Sequence, residues 1–393
     1  MKIAFISNFL CHHQLPFCME MQKALGEGNF FYVATTPTAE EQLRLGYPEM
    51  NDVYPFVLKM YENEHQRIVA QTFIDDADVV IRGGSARWQL TKTRLKKGKL
   101  TFAYYERPYK KGFPWKRLPR ILLSDFLSIH RFSNYYLLCA SAYTSYDFSL
   151  TRCFINKGYK WGYFPEIRKY DDVDAAIREK KDNLGLKHSD VSILWVARLI
   201  GLKHPEAAIH VAARLRDEGD SFRMNIIGIG PLQKEIEMMI EQQNLSNCVT
   251  MLGAMSPDEV RDYMEASDIF LFTSDKNEGW GAVLNESMNS ACAVVASHVV
   301  GAVPFLIKDK INGLIFKDQD WNDLYEKVLW LIQNPNERKM LGMNAYTTMT
   351  ETWCAEVAVK NLLALIDSLR RGENTPIKDG PCSKAPILKE NWY

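Results

Sequence analysis

Short runs of apolar residues alternate along the chain with longer stretches in which apolar residues recur every three or four positions. The short runs are typical of buried strands and the longer stretches of amphipathic helices. Their regular alternation predicts parallel sheets with helices packed on both faces. In the first half, the pattern predicts strands at Ile3–Ser7, Phe30–Ala34, Ala77–Ile81, Leu100–Tyr105 and Tyr135–Cys139, and helices at Pro16–Leu25 and Trp115–Phe132.

The same alternation starts again in the second half. It predicts strands at Ser192–Ala197, Arg223–Ile227, Val249–Leu252, Asp268–Phe272 and Ala293–Ala296, helices beginning near Pro205, Leu232, Pro257 and Ala282, and three further helices at Trp321–Gln333, Pro335–Thr348 and Cys354–Arg370. The charged stretch 169–187 separates the halves, so we predict domains at 1–168 and 188–350. The Pro-, Gly- and Lys-rich residues 372–393 are expected to form a flexible tail. These patterns predict an α/β protein with two Rossmann-like domains that face a cleft, in which ligands bind at the carboxyl ends of the strands.

Composition narrows the class of protein. The length of 393 residues suits two domains, and 48 Lys and Arg balance 48 Asp and Glu, so net charge points to no nucleic-acid partner. The eight cysteines are scattered without C-x-x-C spacing, which is typical of reduced thiols in a cytosolic protein. The N-terminus lacks the apolar core of a signal peptide, and no run approaches the ~18 residues of a spanning helix. We expect a cytoplasmic protein that contacts a membrane only from its surface.

Three loops that follow strands of the second half carry the candidate chemistry. The first holds Arg198 and Lys203, with Pro205 suited to the first turn of the next helix. Arginine binds phosphate oxygens through two parallel hydrogen bonds, and lysine acts as a point charge. Taken alone, the loop could equally be a solvated surface loop.

The second loop reads Gly228-Ile229-Gly230-Pro231 and also joins a strand to a helix. It lacks the third glycine of the dinucleotide fingerprint and the acidic residue that should end the next strand. A nicotinamide-dependent dehydrogenase is therefore disfavoured. A tight turn that brings the backbone close to a ligand or to a neighbouring helix remains open.

The third loop runs from Glu278 through Gly279, Trp280 and Gly281 into a helix that carries Glu286. Glycines let the backbone approach a ligand, and a helix that begins near residue 282 offers free N–H groups and a positive dipole end to a diphosphate. Two carboxylates eight positions apart can accept hydrogen bonds from two sets of sugar hydroxyls. The alternative is a capped helix with two incidental glutamates.

The loops together resemble the retaining family 4 glycosyltransferases, also described as glycosyl transferases group 1. The resemblance covers about residues 190–350. It rests on these motifs, in this order: Arg198 with Lys203, Gly228-Ile229-Gly230-Pro231, Leu252-Gly253, the run 266–274, and Glu278-Gly279-Trp280-Gly281 with Glu286. It implies the GT-B fold, in which the C-terminal domain binds a nucleotide-sugar donor and the last helix, 354–371, crosses back to the N-terminal domain.

The resemblance also implies a role for each matched residue. Arg198 and Lys203 would neutralise the donor diphosphate, Glu278 would hold the donor sugar, and Glu286 would bind the ribose. The remaining predicted donor-site residues are Gly230, then Leu252 and Gly253, whose backbone would meet the base, and Gly279, Trp280, Gly281, Val283 and Leu284 along the sugar and phosphates. It further implies same-face attack that retains the anomeric configuration, with no metal and no cofactor apart from the nucleotide sugar.

The first domain departs from the commoner family pattern. In place of a glycine pair, the loop after the first strand carries His12 and His13, and the position of a mid-domain histidine is taken by the sequence around Glu106. We predict that His13, Arg82 and Glu106 lie on the acceptor side and that Glu106 is catalytic together with Glu278, Arg198 and Lys203. For His13 the alternative is a capping or core histidine, and for Glu106 it is a salt bridge with Arg107.

Charge is concentrated in residues 92–131, where twelve Lys and Arg face only Glu106 and Asp125. Aromatic and apolar residues are interleaved with these cations. Such a segment suits an anionic membrane surface, which would bring a lipid-linked acceptor to the enzyme. A solvated basic face is the alternative, and a nucleic-acid partner is disfavoured because no recognition motif accompanies the charge.

The sequence therefore predicts a retaining, metal-independent glycosyltransferase that acts on a saccharide or lipid-linked acceptor, in bacterial surface polysaccharide or glycolipid synthesis. Other activities on the same donor, such as epimerisation or phosphorolysis, remain open. So does a partner subunit that binds the donor without catalysis. The donor base and sugar, the acceptor and the linkage are not specified by these patterns.

Overall fold

A computed structural model describes residues 1–40, 43 and 49–393 of the chain. The chain separates into two compact units. The N-terminal unit contains Met1–Glu166 and Cys354–Trp392, and the C-terminal unit contains Ile167–Trp353 with Tyr393. Each unit is built on one parallel sheet.

The N-terminal unit has a seven-stranded sheet in the order β3-β2-β1-β4-β5-β6-β7. Its strands are β1 (Ile3–Ser7), β2 (Phe30–Ala34), β3 (Val57–Lys59), β4 (Val79–Gly83), β5 (Thr101–Tyr105), β6 (Tyr135–Cys139) and β7 (Gly158–Lys160). Its first helices are α1 (Leu15–Leu25), α2 (Met50–Val53), α3 (Glu64–Asp76), α4 (Lys92–Lys96), α5 (Leu118–Asp125) and α6 (Thr144–Ser149). Strands β1 and β4 are buried along their whole length, as expected for a parallel sheet covered on both faces.

The C-terminal unit has a six-stranded sheet in the order β10-β9-β8-β11-β12-β13. Its strands are β8 (Val191–Val196), β9 (Phe222–Ile227), β10 (Val249–Gly253), β11 (Ile269–Phe272), β12 (Ala293–Ser297) and β13 (Leu314–Phe316). Its helices are α7 (Val173–Asn183), α8 (Pro205–Glu218), α9 (Gln233–Gln242), α10 (Pro257–Glu265), α11 (Ala282–Asn289), α12 (Val303–Leu306), α13 (Trp321–Gln333) and α14 (Pro335–Glu351). A last helix, α15 (Ala355–Arg370), belongs to the N-terminal unit, where it packs against α1.

Helix α8 shows how the sequence sets these elements. Pro205 occupies its first turn, where no intrahelical N–H partner is needed, and Gly219 ends it in the left-handed region with a φ of 83°. Between them, an apolar stripe is buried against the sheet, including Ala208, Val211 and Leu215. The start of α8 is thereby fixed directly after the loop that carries Lys203.

The charged stretch 169–187 does not lie between the two units, contrary to the predicted domain boundary. Its central part forms α7, which belongs to the C-terminal unit. Lys181 Nζ lies 2.9 Å from both carboxylate oxygens of Asp268, and Lys180 Nζ lies 2.6 Å from Asp262 Oδ1. The charges are therefore used for packing within the unit, and the units separate at residue 166.

Residues 372–393 are packed rather than loose, contrary to the predicted flexible tail. The N–H of Cys382 donates to Lys160 O at 2.8 Å, and the N–H of Lys160 donates to Ser383 O at 2.8 Å. Cys382 and Ser383 are buried. Because β7 is an edge strand with free backbone groups, an extended segment can pair with it whatever its composition.

The predicted helix at Trp115–Phe132 is divided into three consecutive helical segments of different pitch. A 3-10 turn at Trp115–Arg117 leads into α5, which continues as a π-helical turn at Phe126–His130. Among the described residues, no helix has both the length and the apolar character that crossing a bilayer requires.

Candidate functional site

The carboxyl ends of β8 and β11 bring two of the predicted loops together. Thr273 directly follows β11, and its Oγ1 donates a 2.6 Å hydrogen bond to the main-chain carbonyl of Lys203. The same hydroxyl accepts a 2.8 Å bond from the indole Nε1 of Trp195, which lies inside β8. Asp275 adds a 2.9 Å bond from its N–H to Leu202 O. The two loops therefore form one connected structure.

The predicted phosphate-binding cation and sugar-binding carboxylate meet on this structure. Lys203 Nζ donates to Glu278 Oε2, and the two side chains are only 15% and 16% exposed. Partial burial reduces screening, so this pair is expected to interact more strongly than an exposed surface pair. A cation and a carboxylate held side by side can bind a ligand that offers an anionic group next to hydroxyl groups.

His204, which no sequence pattern singled out, joins the same cluster. Its Nδ1 lies 2.6 Å from Glu206 Oε1 and its Nε2 lies 3.8 Å from Asp275 Oδ2. The hydrogen bond to Glu206, followed by the charges of Glu206, Asp275 and Asp318, raises the pKa of His204 above its usual value. A histidine two residues before a glutamate at a helix start was the only signal available in the sequence.

The glycines of the second loop serve contact between loops. A Cβ on Gly228, whose φ is 138°, would overlap the carbonyl oxygen of Ala197. A Cβ on Gly230 would approach the carbonyl carbon of Leu199 to 2.8 Å. The backbone of Leu199 also donates to Ile229 O at 3.0 Å. The turn therefore lies against the loop after β8 rather than against a helix, and its approach to a ligand stays a prediction.

The third loop also owes its shape to glycine. Gly281 caps α11 with a φ of 86°, and a Cβ at this position would overlap the ring of Phe272. The indole of Trp280 is buried and donates to Asn285 Oδ1 at 2.8 Å, and Leu284 is fully buried. Trp280 and Leu284 can therefore line a site only through their backbone, whereas Val283 is half-buried.

Glu286 is half-buried on α11, one turn after the helix begins. The side chain of Arg261, from α10, is buried nearby and donates to Asn289 Oδ1 at 2.6 Å. Burial lowers the pKa of Arg261, and the Glu286 carboxylate is the main charge that opposes this shift. Glu286, which is predicted to bind a ribose, therefore lies close to the buried cation of Arg261. The sequence spacing did not indicate this neighbour.

The other predicted donor-site residues lie at the same edge of the sheet. Arg198 is exposed on the loop after β8, five residues before Lys203. Leu252 and Gly253 end β10 and are half-buried, and the carbonyl of Gly253 accepts a 2.8 Å bond from Gly228 N. Gly279 is buried and Gly230 is half-buried. Their contacts with a donor remain predictions.

In the N-terminal unit, Glu106 follows β5 and does not pair with Arg107 as the alternative suggested. It accepts a 2.8 Å bond from Tyr163 Oη and lies 3.7 Å from Lys110 Nζ. Arg107 instead lies 3.3 Å from the buried carboxylate of Asp147. Burial is the main cause that raises the pKa of Tyr163, so this hydroxyl stays protonated and can donate to Glu106.

The assignment of Arg82 to the acceptor side is not supported. Its guanidinium is buried and donates to Tyr135 Oη at 2.8 Å, Tyr105 Oη at 2.9 Å and Ala86 O at 2.7 Å. A cation at the end of a strand therefore completes the core here. His13 is half-buried, and its ring centroid lies 3.7 Å from that of His12 and 6.0 Å from that of Tyr163. His13 and Glu106 thus share Tyr163 as a neighbour.

Comparison with solved structures identifies the fold class. The structure of Anabaena Alr3699/HepE in complex with UDP aligns with 94% of this chain and 100% of that chain, with a TM-score of 0.67 at 16% identity. Together with the two parallel-sheet units and the return of α15, this confirms the predicted GT-B fold.

Comparison of sequences shows which proteins the C-terminal unit is similar to. Residues 176–348 match the family described as glycosyl transferases group 1. The uncharacterized glycosyltransferase MJ1178 of Methanocaldococcus jannaschii is 39% identical over 31% of this chain and 34% of its own length. The amylovoran biosynthesis glycosyltransferase AmsK of Erwinia amylovora is 28% identical over 51% of each protein. The chain therefore aligns with a third to a half of the length of these relatives.

Proposed function

We propose that the chain is a retaining glycosyltransferase of family 4, which transfers a sugar from a nucleoside diphosphate sugar to a saccharide or lipid-linked saccharide. The observation that carries this proposal is the meeting of Lys203 and Glu278 on the loops that precede α8 and α11. The match of residues 176–348 to glycosyl transferases group 1 supports it independently.

The chemistry follows from where charge develops. When the bond between the sugar C1 and the diphosphate oxygen breaks, negative charge grows on the diphosphate, where Lys203, Arg198 and the N-terminus of α11 would stabilise it. Glu278 would hold sugar hydroxyls. The acceptor oxygen would attack C1 from the face that the diphosphate leaves, and its proton would pass to a diphosphate oxygen. This route retains configuration and needs neither a metal nor a cofactor beyond the donor.

The acceptor is assigned to the N-terminal unit. Glu106 and His13 would contact it, because both follow strands of that sheet at their carboxyl ends and both adjoin Tyr163. Synthesis of a bacterial surface polysaccharide or glycolipid, at the cytoplasmic face of the plasma membrane, suits the basic segment 92–131. The relative AmsK is described as an enzyme of amylovoran biosynthesis, which agrees with this context.

Nucleotide-dependent thermal stability tests the donor site. We would compare UDP, GDP, ADP, CDP and NAD, beginning with UDP because HepE was solved with it. A ligand at about 100 times its Kd stabilises the folded state by about 2.7 kcal/mol, which gives a measurable shift. We expect a shift with one nucleoside diphosphate and none with NAD. A shift with NAD alone would contradict the proposal.

Two substitutions separate binding from transfer. Glu286→Ala should weaken binding of the nucleoside diphosphate, whereas the exposed control Glu237→Ala on α9 should not change it. Glu106→Ala should preserve that binding and lower sugar transfer. Binding without transfer in the unsubstituted protein, across the sugars of the nucleotide that binds, would favour a donor-binding partner subunit instead. Release of an epimer or a sugar phosphate would favour the other activities on the same donor.

A further inference from the structure

Five large apolar side chains are exposed within one short segment of the N-terminal unit. They are Trp115 (65% exposed), Leu122 (44%), Leu123 (61%), Phe126 (56%) and Leu127 (40%), and we call them the apolar ridge. Single exposed apolar residues are normal on a protein surface, but a contiguous group marks an interaction site. The ridge lies in the connection between β5 and β6.

The ridge is presented on a helical support. Leu122 and Phe126 are four positions apart, as are Leu123 and Leu127, so each pair shares a side of the helical segment formed by α5 and the turn that follows it. Trp115 stands before α5, and its ring lies 4.6 Å from that of Phe113. The apolar groups therefore project from a defined surface.

Both ends of the segment are tied to the unit. The N–H of Tyr109 donates to Asp147 Oδ2 at 2.9 Å, ahead of the ridge. His130 Nε2 donates to Thr151 O at 3.2 Å, behind it. Between these two attachments the apolar side chains stay exposed, as expected for a surface that is completed by a partner.

Charge around the ridge selects the partner. Residues 109–131 contain six Lys and Arg and a single acidic residue, Asp125. Lys116, Arg117 and Arg120 are exposed and lie between Trp115 and Leu122. An anionic lipid surface complements both features, since cations bind the headgroups while apolar side chains enter the acyl boundary. A second copy of the chain would instead bring two sets of like charges together.

We propose that the apolar ridge inserts into the interfacial layer of an anionic bilayer, with Lys116, Arg117 and Arg120 on the lipid headgroups. The same β5–β6 connection begins with Glu106, nine residues before Trp115. Insertion therefore holds the end of β5 close to the bilayer. This inference rests on the proposed function. It adds to that proposal that the acceptor is lipid-linked and membrane-embedded, and it names the residues that bring the enzyme to the membrane.

Vesicle co-sedimentation of the full chain tests the ridge. We expect binding to phosphatidylcholine vesicles that contain phosphatidylglycerol, and loss of binding at high salt. The paired substitution Leu123→Ser and Phe126→Ser should weaken binding about tenfold or more. Met238→Ser, which changes an apolar residue 52% exposed on α9, is the matched control and should bind like the unsubstituted protein.

The charge component is tested by Lys116→Gln with Arg120→Gln. Each basic residue near an anionic surface contributes about fivefold to binding, so the pair should lower vesicle affinity about 25-fold. Trp115 fluorescence should shift to shorter wavelength on binding, and a Trp115→Phe variant should lose that shift. Equal binding to neutral vesicles, or unchanged binding by either pair, would overturn the proposal. So would dimerisation through the ridge without vesicle binding.

Nucleotide binding, measured on the same proteins, separates the two proposals. The Leu123→Ser and Phe126→Ser protein should show the unsubstituted thermal shift with the nucleoside diphosphate, which also shows that it is folded. If the unsubstituted protein binds vesicles through the ridge but no nucleotide, the membrane surface stands and the transferase assignment fails. The reverse result rejects the ridge alone.

Discussion

The hydroxyl of Thr273 donates a 2.6 Å hydrogen bond to the main-chain carbonyl of Lys203 and accepts one of 2.8 Å from the indole of Trp195. Thr273 and Trp195 are both buried, so each bond is shielded from water. The Thr273 hydroxyl therefore helps to fix the position of Lys203 and so of its pair with Glu278. Thr273 itself is not among the predicted donor-binding residues.

Thr273→Val keeps the shape of the side chain but removes the hydroxyl. It should lower the free energy of unfolding by about 1–3 kcal/mol, because the Trp195 indole N–H and the Lys203 carbonyl lose their partner. It should also weaken nucleoside diphosphate binding. Urea unfolding and calorimetric titration measure the two effects. Thr273→Ser, which retains the hydroxyl, should recover most of both, and equal loss with Ser would mean that the methyl group matters instead.

Gly228→Ala should be severely destabilising, by about 3 kcal/mol or more. Its φ of 138° is unfavourable for any residue with a Cβ, and the added atom would overlap the carbonyl of Ala197. Gly201 lies on the loop after β8 and is exposed, and a Cβ there meets nothing within 4 Å. Gly201→Ala should therefore change stability by no more than about 0.5 kcal/mol. Chemical denaturation compares the two, and similar losses would argue against the loop contact.

Protonation of His204 should make stability depend on pH. Because Glu206 raises its pKa in the folded state, the stabilising effect is complete below the unfolded pKa of about 6.5 and is lost as pH rises through the higher folded value. His204→Asn removes the charge and tolerates the left-handed φ of 49°. The difference in unfolding free energy between the two proteins should shrink from pH 6 to pH 8. A constant difference would remove His204 as the cause.

Most of the central strands could be predicted from sequence because each is a short apolar run between turn residues. β1, β2 and β6 have the predicted bounds, and β8 to β12 differ from the predicted bounds by one residue or less at every end. The edge strands β3, β7 and β13 were missed. Each has only three residues, which is too short for a periodic signal, and each forms because a neighbouring strand offers free backbone groups.

Side-chain roles were predictable only where geometry follows from chain order. Lys203 and Glu278 lie on the loops that follow the adjacent parallel strands β8 and β11, so their meeting follows from sheet topology. Arg82 also ends a strand, yet it points into the core because Tyr105 and Tyr135 offer hydroxyl partners. The sequence around Arg82 does not show whether its side chain points into the core or towards a ligand. The partners lie 23 and 53 residues away along the chain.

Truncation tests whether residues 372–393 stabilise the N-terminal unit, as their contacts indicate, or form the loose tail that their composition predicts. Removing residues 372–393 deletes three backbone hydrogen bonds to β7, from Cys382 N to Lys160 O, from Lys160 N to Ser383 O and from Ala385 N to Gly158 O. At about 1 kcal/mol for each bond, stability should fall by roughly 3 kcal/mol. The exposed edge of β7 should also promote association between chains.

Thermal unfolding and light scattering of the truncated chain measure both effects. Ile387→Ser, at a side chain 58% exposed within the same segment, is the control and should leave both unchanged. Because the Arg107 guanidinium would also lose Glu390, which lies 2.6 Å away, raising the salt concentration should narrow the gap between full-length and truncated proteins. A truncated chain that is equally stable and monomeric would return residues 372–393 to the loosely ordered tail that their composition suggested.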